Sequence, residues 1–140
     1  AMEVKKPLLI HCRNAYRELY DFLLEFGIWN LDLRGNMHFF AGTWDEAKLF
    51  LDLGFTLSFG GVTTFVRDYD EVIKNTPLEM LLTETDCPFV APVPYRGKRN
   101  EPSYLPEIVK KIAEIRGESA EKIGEITLAN AKRLFQLGLK

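Results

Sequence analysis

Cysteine, histidine and long apolar runs are scarce in this chain, and two of these scarcities exclude a class of protein. The two cysteines show no Cys-x-x-Cys spacing, which predicts free thiols rather than a disulfide framework. No apolar run approaches the roughly 18 residues of a membrane span, and the amino terminus lacks the apolar stretch of a secretory signal. We therefore expect a cytoplasmic protein without membrane contact.

A surplus of positive charge is also missing. Lys and Arg number 18 against 20 Asp and Glu, which gives a formal net charge of -2 at pH 7. This balance excludes a surface that coats nucleic acid through its overall field, so any polyanion contact must come from a local group. One basic cluster exists, at residues 96–99, although composition alone favours a solvated turn there.

The chain does contain enough apolar material for one core. Its 140 residues, of which 46% are hydrophobic and 12% aromatic, predict a single domain over residues 1–140. A domain of this length buries roughly two thirds of the surface of its unfolded chain. The length is well short of the roughly 250 residues of a complete eight-stranded βα barrel.

Short apolar runs alternate with amphipathic segments along the chain. The alternation predicts a parallel sheet with right-handed crossovers, either an open sheet or an arc of a barrel. The proline-containing segment 86–100 is predicted to be an ordered, ligand-facing loop. Strands are expected near residues 7–10, 35–40, 55–59 and 78–83, and helices near 15–26, 43–54, 68–75 and 102–117, followed by two shorter helices near 119–125 and 127–137.

Potential metal ligands lie at the ends of three predicted strands: His11, His38 and Asp86. Parallel α/β folds place their chemistry at these ends, and imidazole and carboxylate suit a zinc-like or manganese-like ion. Simpler interpretations are hydrogen-bonded histidines and an aspartate that caps the loop before Pro88. Glu84 and Asp86 share one side of an extended chain, so their like charges require a cation or a hydrogen bond.

Three further features are interpreted as structural. Cys12 and Cys87 adjoin His11 and Asp86, and strand alternation predicts that both thiols turn away from these neighbours toward the helices. An aromatic stripe is expected in the core rather than as a base-stacking platform; it comprises Tyr16, Tyr20, Phe22 and Phe26. Trp29 and Leu31 are expected to be exposed.

Several motifs, occurring in the family's order and spanning nearly the whole chain, together resemble the TatD family of metal-dependent deoxyribonucleases and hydrolases. No single motif is persuasive, but the set is specific. The motifs are His11-Cys12-Arg13, Met37-His38-Phe39-Phe40-Ala41-Gly42, Glu84-Thr85-Asp86-Cys87-Pro88, the segment 91–102, and Asn130-Ala131-Lys132-Arg133-Leu134-Phe135.

The resemblance implies a metallohydrolase of the TIM-barrel type, of which this chain supplies the carboxy-terminal half. The expected fold is a partial TIM barrel, a (βα)4 half-barrel with parallel strands and outer helices. The family's His-x-His motif and its Gly-Glu-x-Gly-type stretch do not occur in the chain. A two-metal site would therefore need ligands from outside it.

The resemblance also assigns roles to individual residues. His11, His38 and Asp86 are implied to bind a divalent metal ion (Mg, Mn or Zn), and Asp86 is also implied to take a proton from metal-bound water. Apart from the resemblance, the position of Glu84 on the same side of the chain as Asp86 predicts that it supports a metal ligand without binding the metal itself. The residues implied to face substrate phosphate are Arg13, Arg96, Lys98 and Asn100, since guanidinium groups match phosphate oxygens.

The function that follows is hydrolysis of phosphodiester bonds in DNA by metal-activated water. Alternatives are a related ester or amide hydrolase, or a catalytically silent half-barrel with a structural or partner-binding role. An isolated four-strand arc leaves two strand edges open. Three arrangements would cover them: a longer protein, a complementary amino-terminal half-barrel, or a homodimer.

Overall fold

The structure, a computed structural model, describes residues 1–28 and 35–138. The expectation that Trp29 and Leu31 are exposed lies outside these residues. Short 3-10 helices occupy Gly61–Thr64, Leu78–Met80 and Pro102–Tyr104. The main elements are β1 (Leu8–His11), α1 (Tyr16–Glu25), β2 (Gly35–His38), α2 (Trp44–Asp52), β3 (Thr56–Phe59), α3 (Asp70–Asn75), β4 (Leu81–Thr83), α4 (Leu105–Arg116) and α5 (Ala120–Phe135).

The four strands form one parallel sheet in the order β1-β2-β3-β4, which confirms the predicted sheet. Each strand is a sheet neighbour of the one before it in sequence, so every crossover moves the chain in the same direction. This stepwise order is that of a βα barrel, because open doubly wound sheets reverse direction at a switch point. The fold is therefore an arc of a partial TIM barrel.

The two faces of the sheet differ in chemistry. On the helix side, Met37, Leu57, Phe59 and Leu81 are fully buried and form the core with α2, α3 and α4. The register and the strand alternation place a mostly polar set on the opposite side, which we call the inner face. The inner face comprises Leu9, His11, Asn36, His38, Thr56, Ser58 and Leu82.

Local capping residues explain where several helices begin and end. The Thr43 hydroxyl accepts from the Glu46 backbone N–H at 3.3 Å, and the Glu46 carboxylate accepts from the Thr43 N–H at 2.7 Å, which confirms the capping box. At the end of α4, Gly117 has a φ of 68°, a left-handed conformation that glycine adopts without a side-chain penalty.

The carboxy-terminal part of the chain differs from the sequence expectation. In place of two shorter helices near 119–125 and 127–137, the structure has the single helix α5. Gly124 does not break the helix, because its neighbour Ile123 lies on a buried stripe that continues through Thr127, Asn130 and Leu134 at helical spacing. Burial of this stripe outweighs the weak helix propensity of one glycine.

The aromatic stripe of α1 is only partly in the core. Tyr16 is buried, but Phe22 and Phe26 are 60% and 67% exposed, so the expectation of a buried stripe was wrong for these two residues. The helix contacts α2 on one side, and the two phenylalanine rings stack on each other on another face. None of the helices in the described ranges combines the length and the apolarity that a bilayer crossing requires.

Candidate active site

A cavity of about 480 Å³ runs along the inner face and reaches the carboxyl ends of the strands. It is bounded by the inner face, by the start of α4 and by the end of α5. The position is the one that parallel βα folds use for chemistry. Its lining includes Leu9, His38, Ser58, Glu84, Asp86 and Cys87.

His38 is the best-positioned polar side chain of this cavity. Its Nδ1 lies 2.8 Å from Glu84 Oε2, and its Nε2 lies 3.4 Å from Asp86 Oδ1. Both carboxylates can only accept, and the shorter contact assigns a proton to Nδ1 toward Glu84, which in the neutral ring leaves the Nε2 lone pair toward Asp86 and the cavity. Metal-binding histidines are held in this way, with one nitrogen on a carboxylate and the other free for the ion.

His11 lies beside His38 on the neighbouring strand. The two residues are paired in the register of β1 and β2, and their ring centroids are 5.9 Å apart at an interplanar angle of 49°. His11 belongs to the exposed side of the edge strand β1. The structure therefore brings both imidazoles and Asp86 to the same end of the sheet.

The donor chemistry fits a divalent cation, but the ligand number is small. Imidazole nitrogen and carboxylate oxygen are ligands for zinc and manganese. Within residues 1–28 and 35–138, however, no group of three or more His, Cys, Asp or Glu side chains is close enough to hold a metal ion. His38 and Asp86 form a close pair, and His11 stands outside a common cluster with them.

Glu84 is held by a second contact besides His38. The Ser58 hydroxyl donates to Glu84 Oε2, the same oxygen that His38 contacts. The other oxygen, Oε1, is buried and has no hydrogen-bond partner among the described residues. A buried carboxylate oxygen without a partner is costly, which is a further reason to place a cation in this part of the cavity.

Two residues at the strand ends have left-handed backbone conformations. Phe39, directly after His38, has a φ of 50°, and Asp86 has a φ of 54°. Such values are uncommon for residues other than glycine and carry a modest energetic cost that the surrounding structure must offset. Gly60 leaves room for the Phe39 side chain, because a Cβ there would lie 2.7 Å from the Phe39 ring.

The residues implied to bind phosphate are not gathered in the cavity. Arg13 and Lys98 are exposed, and among the described residues that line the cavity neither occurs. Arg96 donates to the Ala91 carbonyl at 3.1 Å, and its guanidinium lies 3.9 Å above the centre of the Phe65 ring. These contacts fix the Arg96 side chain between the Phe65 ring and the Ala91 backbone, within the loop that follows Asp86.

Asn100 has a different position from the one its implied role requires. It is 1% exposed, and its amide donates to the carbonyls of Thr85 and Phe89 at 2.6 Å each. A side chain in this position cannot reach a ligand without breaking those bonds. Its hydrogen bonds instead fold the loop back onto the residue before Asp86, so the predicted ordered loop owes its shape to Asn100.

The two cysteines differ from each other. Cys12 packs on the core as expected, and burial raises the pKa of its thiol. Cys87 is exposed and lines the cavity, so the expectation that it turns toward the helices was wrong. The reason is the left-handed backbone at Asp86, which ends the strand alternation on which the expectation rested.

The supporting polar residues Asn36, Thr56 and Ser58 were not predicted from the sequence. Asn36 donates to Ser58 Oγ at 2.9 Å, and Thr56 donates to Asn36 Oδ1 at 3.0 Å. All three are nearly fully buried, with exposures of 2%, 4% and 2% respectively. The signal available was polar residues spaced two apart in apolar strands, in Asn36-Met37-His38 and in Thr56-Leu57-Ser58.

Comparison with known proteins identifies relatives over nearly the whole chain. The family model described as TatD related DNase matches residues 1–136. The uncharacterized metal-dependent hydrolase YabD of Bacillus subtilis is 44% identical over 139 residues, which cover 98% of this chain and 54% of the relative. The 3'-5' ssDNA/RNA exonuclease TatD of a Rahnella strain is 35% identical over 151 residues. The match covers 100% of this chain and 55% of that relative.

A solved structure shows the same arrangement of elements. The crystal structure of YJJV, a TatD homolog from Escherichia coli K12, superposes with a TM-score of 0.86 at 28% sequence identity. The match covers 98% of this chain and 52% of that one. The chain thus spans about half the length of the curated relatives and of the solved structure that it matches.

Proposed function

Because this chain belongs to the TatD-related DNase family, we propose that it contributes part of the active site of a metal-dependent hydrolase that cleaves phosphodiester bonds in DNA. The observation that carries the proposal is the pair of contacts at His38, which hold Nδ1 on Glu84 and leave Nε2 beside Asp86. The exonuclease name of the Rahnella relative supports a nucleic-acid substrate.

The proposed ligands in this chain are His11, His38 and Asp86. A bound divalent cation, Mg, Mn or Zn, would supply activation of water near neutral pH. Asp86, 34% exposed and beside the His38 ring, is the carboxylate we propose to take the proton from that water. Glu84 keeps the His38 ring in the orientation that presents Nε2.

The proposed substrate contacts come from Arg13, which follows β1, and from the loop after Asp86. Arg13, Lys98 and Arg96 carry charges that attract phosphate, and Arg96 is held at a fixed place by Phe65 and Ala91. Asn100 is proposed to act through the loop rather than by touching the substrate, since its amide is engaged with backbone carbonyls. We further propose that residues 1–140 form a single domain.

The remaining metal ligands are proposed to come from outside this chain. Candidate sources are a complementary amino-terminal half-barrel, whether joined or separate, and a second copy of the chain. Either would cover the inner face and the free edges of the sheet.

The test measures metal and nuclease activity in the same preparations. We expect the chain to bind Mn²⁺ or Zn²⁺ and to degrade single-stranded DNA when the complementary half is supplied, with loss of activity in chelator. Asp86→Asn should lower the rate by at least about a hundredfold, the range of a lost general base. Asp68→Asn, at an exposed aspartate away from the cavity, is the matched control. Equal rates for Asp86→Asn and the parent would remove Asp86 from the mechanism.

One observation favours a second candidate, a catalytically silent half-barrel with a structural or partner-binding role. No group of three or more ligand side chains comes together in the described ranges. This candidate predicts no stoichiometric metal after purification, together with a stable complex that has no hydrolytic activity. A related ester or amide hydrolase predicts a third result, cleavage of simple acyl esters in preference to DNA.

A further inference from the structure

A line of buried hydrogen bonds crosses the inner face and ends at Glu84. It starts at Thr56, whose hydroxyl lies 3.0 Å from Asn36 Oδ1, and passes from Asn36 Nδ2 to Ser58 Oγ at 2.9 Å. The Ser58 hydroxyl then donates to Glu84 Oε2, and His38 Nδ1 lies 2.8 Å from the same oxygen. Residues of the two adjacent strands β2 and β3 therefore converge on one oxygen of the carboxylate that follows β4.

The chemistry of Glu84 fixes the direction of every bond in this line. A carboxylate accepts only, so the Ser58 hydroxyl must donate its single proton to Glu84. The Ser58 oxygen is then free to accept, and the amide of Asn36 supplies the donor. This orientation points the Asn36 carbonyl at Thr56, whose hydroxyl completes the line.

Ser58 also supports the backbone next to His38. The Phe39 N–H donates to Ser58 Oγ at 3.4 Å, and the Phe40 N–H donates to the Ser58 carbonyl at 2.9 Å. Phe39 is the residue with the left-handed backbone directly after His38. One serine thus contacts both the carboxylate that holds the imidazole and the chain that carries it.

We propose that Ser58 and Asn36 are positioning residues that hold the Glu84 carboxylate and thereby keep His38 in the tautomer protonated at Nδ1. The Glu84 carboxylate has two polar contacts among the described residues, His38 and Ser58, and both fall on Oε2 while Oε1 has none. Without the Ser58 hydroxyl, His38 is the one side chain in residues 1–28 and 35–138 that still fixes the rotation of the carboxylate. This inference builds on the proposed metal site, because an Nδ1-protonated ring is what presents Nε2 to a cation.

The test reads the tautomer directly in the metal-free 140-residue chain by ¹⁵N-detected imidazole NMR. Only two histidines contribute signals, and His11 serves as the internal comparison. The spectra are recorded at about two pH units above the ordinary imidazole pKa. We expect His38 in the parent to favour the Nδ1-protonated form by about tenfold or more, as a hydrogen bond to a charged group provides.

Two variants and one control separate positioning from packing. Ser58→Ala should reduce the tautomer ratio of His38 several-fold and leave the signals of His11 unchanged. Asn36→Leu, one step further from Glu84, should reduce it less. Thr76→Val deletes another fully buried hydroxyl, which donates to the Val72 carbonyl, and should leave the ratio as in the parent.

An unchanged His38 ratio in a folded Ser58→Ala or Asn36→Leu chain would overturn the inference, and an equal change in Thr76→Val would do the same. If Ser58→Ala does not fold, Asn36→Leu carries the test alone. Titration of Zn²⁺ into the same samples then gives an independent second readout. A shifted tautomer ratio in a chain that binds no Zn²⁺ would support the positioning role while removing the metal site.

Discussion

At the scale of single residues, buried amides and guanidinium groups join segments that are far apart in sequence. The Asn130 amide donates to the carbonyls of Leu78 and Leu81 at 2.7 Å and 2.8 Å, which attaches α5 to the start of β4. Arg116 donates to the carbonyls of Ile73 and Thr76 at 2.6 Å and 2.7 Å, and so caps the carboxyl end of α3. These side chains satisfy carbonyls that the helices and strands leave unpaired.

Replacement of Asn130 tests this role. Asn130→Ala leaves two carbonyls without their donor in a buried site, and we expect the free energy of unfolding to fall by roughly 2–4 kcal/mol. Urea denaturation followed by circular dichroism measures the change. Asn75→Ala, at an exposed asparagine of α3, is the control and should change stability little. Equal stability of Asn130→Ala and the parent would contradict the assignment.

Tyr16 makes the free energy of unfolding depend on pH in the alkaline range. Its hydroxyl oxygen accepts from the Ala41 N–H at 3.0 Å, and burial raises its pKa above the ordinary value. The folded state therefore favours the neutral phenol, and the tyrosine contribution is complete below the unfolded pKa of about 10 and is lost as the pH rises through the folded pKa.

The corresponding variant is Tyr16→Phe. At pH 7 it should be less stable than the parent by about 1 kcal/mol, because the Ala41 N–H loses its acceptor. Above a pH of about 10 the parent should lose stability more steeply than the variant, so the difference narrows. Urea denaturation over this range measures both. A difference that stays constant to high pH would show that the pKa of Tyr16 is the same in the folded and the unfolded chain.

At the scale of elements, the loop after β4 is held by close backbone contact as well as by Asn100. A Cβ on Gly61 would collide with the Val90 carbonyl oxygen, and the Val93 N–H donates to the Thr64 hydroxyl at 2.9 Å. The 3-10 helix Gly61–Thr64 is therefore the surface on which this loop docks.

Two glycine substitutions with opposite expected signs test this docking. Gly61→Ala should destabilise the chain by roughly 1–3 kcal/mol, because the collision is with backbone that cannot move aside. It should also speed tryptic cleavage at Arg96, Lys98 and Arg99. Gly124→Ala is the control: its Cβ meets only Val109 at 3.9 Å, and an alanine inside α5 should stabilise by about 0.5–1 kcal/mol. Undiminished protease resistance in Gly61→Ala would contradict the docking.

The elements themselves were largely predictable, and the exceptions have physical causes. Strand and helix positions follow from apolar periodicity, which is local, and the capping box at Thr43 marked one helix start correctly. The predicted helix break at Gly124 was wrong because the helix-propensity cost of one glycine is small beside the burial of the α5 stripe. The predicted orientation of Cys87 was wrong because Asp86 leaves the extended conformation. Pairing of Ser58 with Asn36 across strands depends on register, which periodicity does not contain.

At the scale of the whole molecule, the polar inner face and the free edge at β1 are the features that most need a partner. Leu9, in the edge strand, lines the cavity and is 61% exposed. His11, two residues further along, is exposed on the same face. The relatives that this chain matches are about twice its length, so the proposed complementary half or second copy would cover this face.

Self-association through the inner face is the arrangement that the chain alone allows to be tested. We expect its sedimentation coefficient to rise with concentration, since covering the β1 edge and Leu9 removes apolar surface and open strand edge from water. Leu9→Lys should shift the distribution toward the monomer without lowering the free energy of unfolding, because the side chain is already mostly exposed. Leu128→Lys introduces the same charge at a leucine of α5 that is 52% exposed and should leave association as in the parent. A parent chain that sediments as a monomer at every concentration would leave the complementary half-barrel as the proposed cover of the inner face.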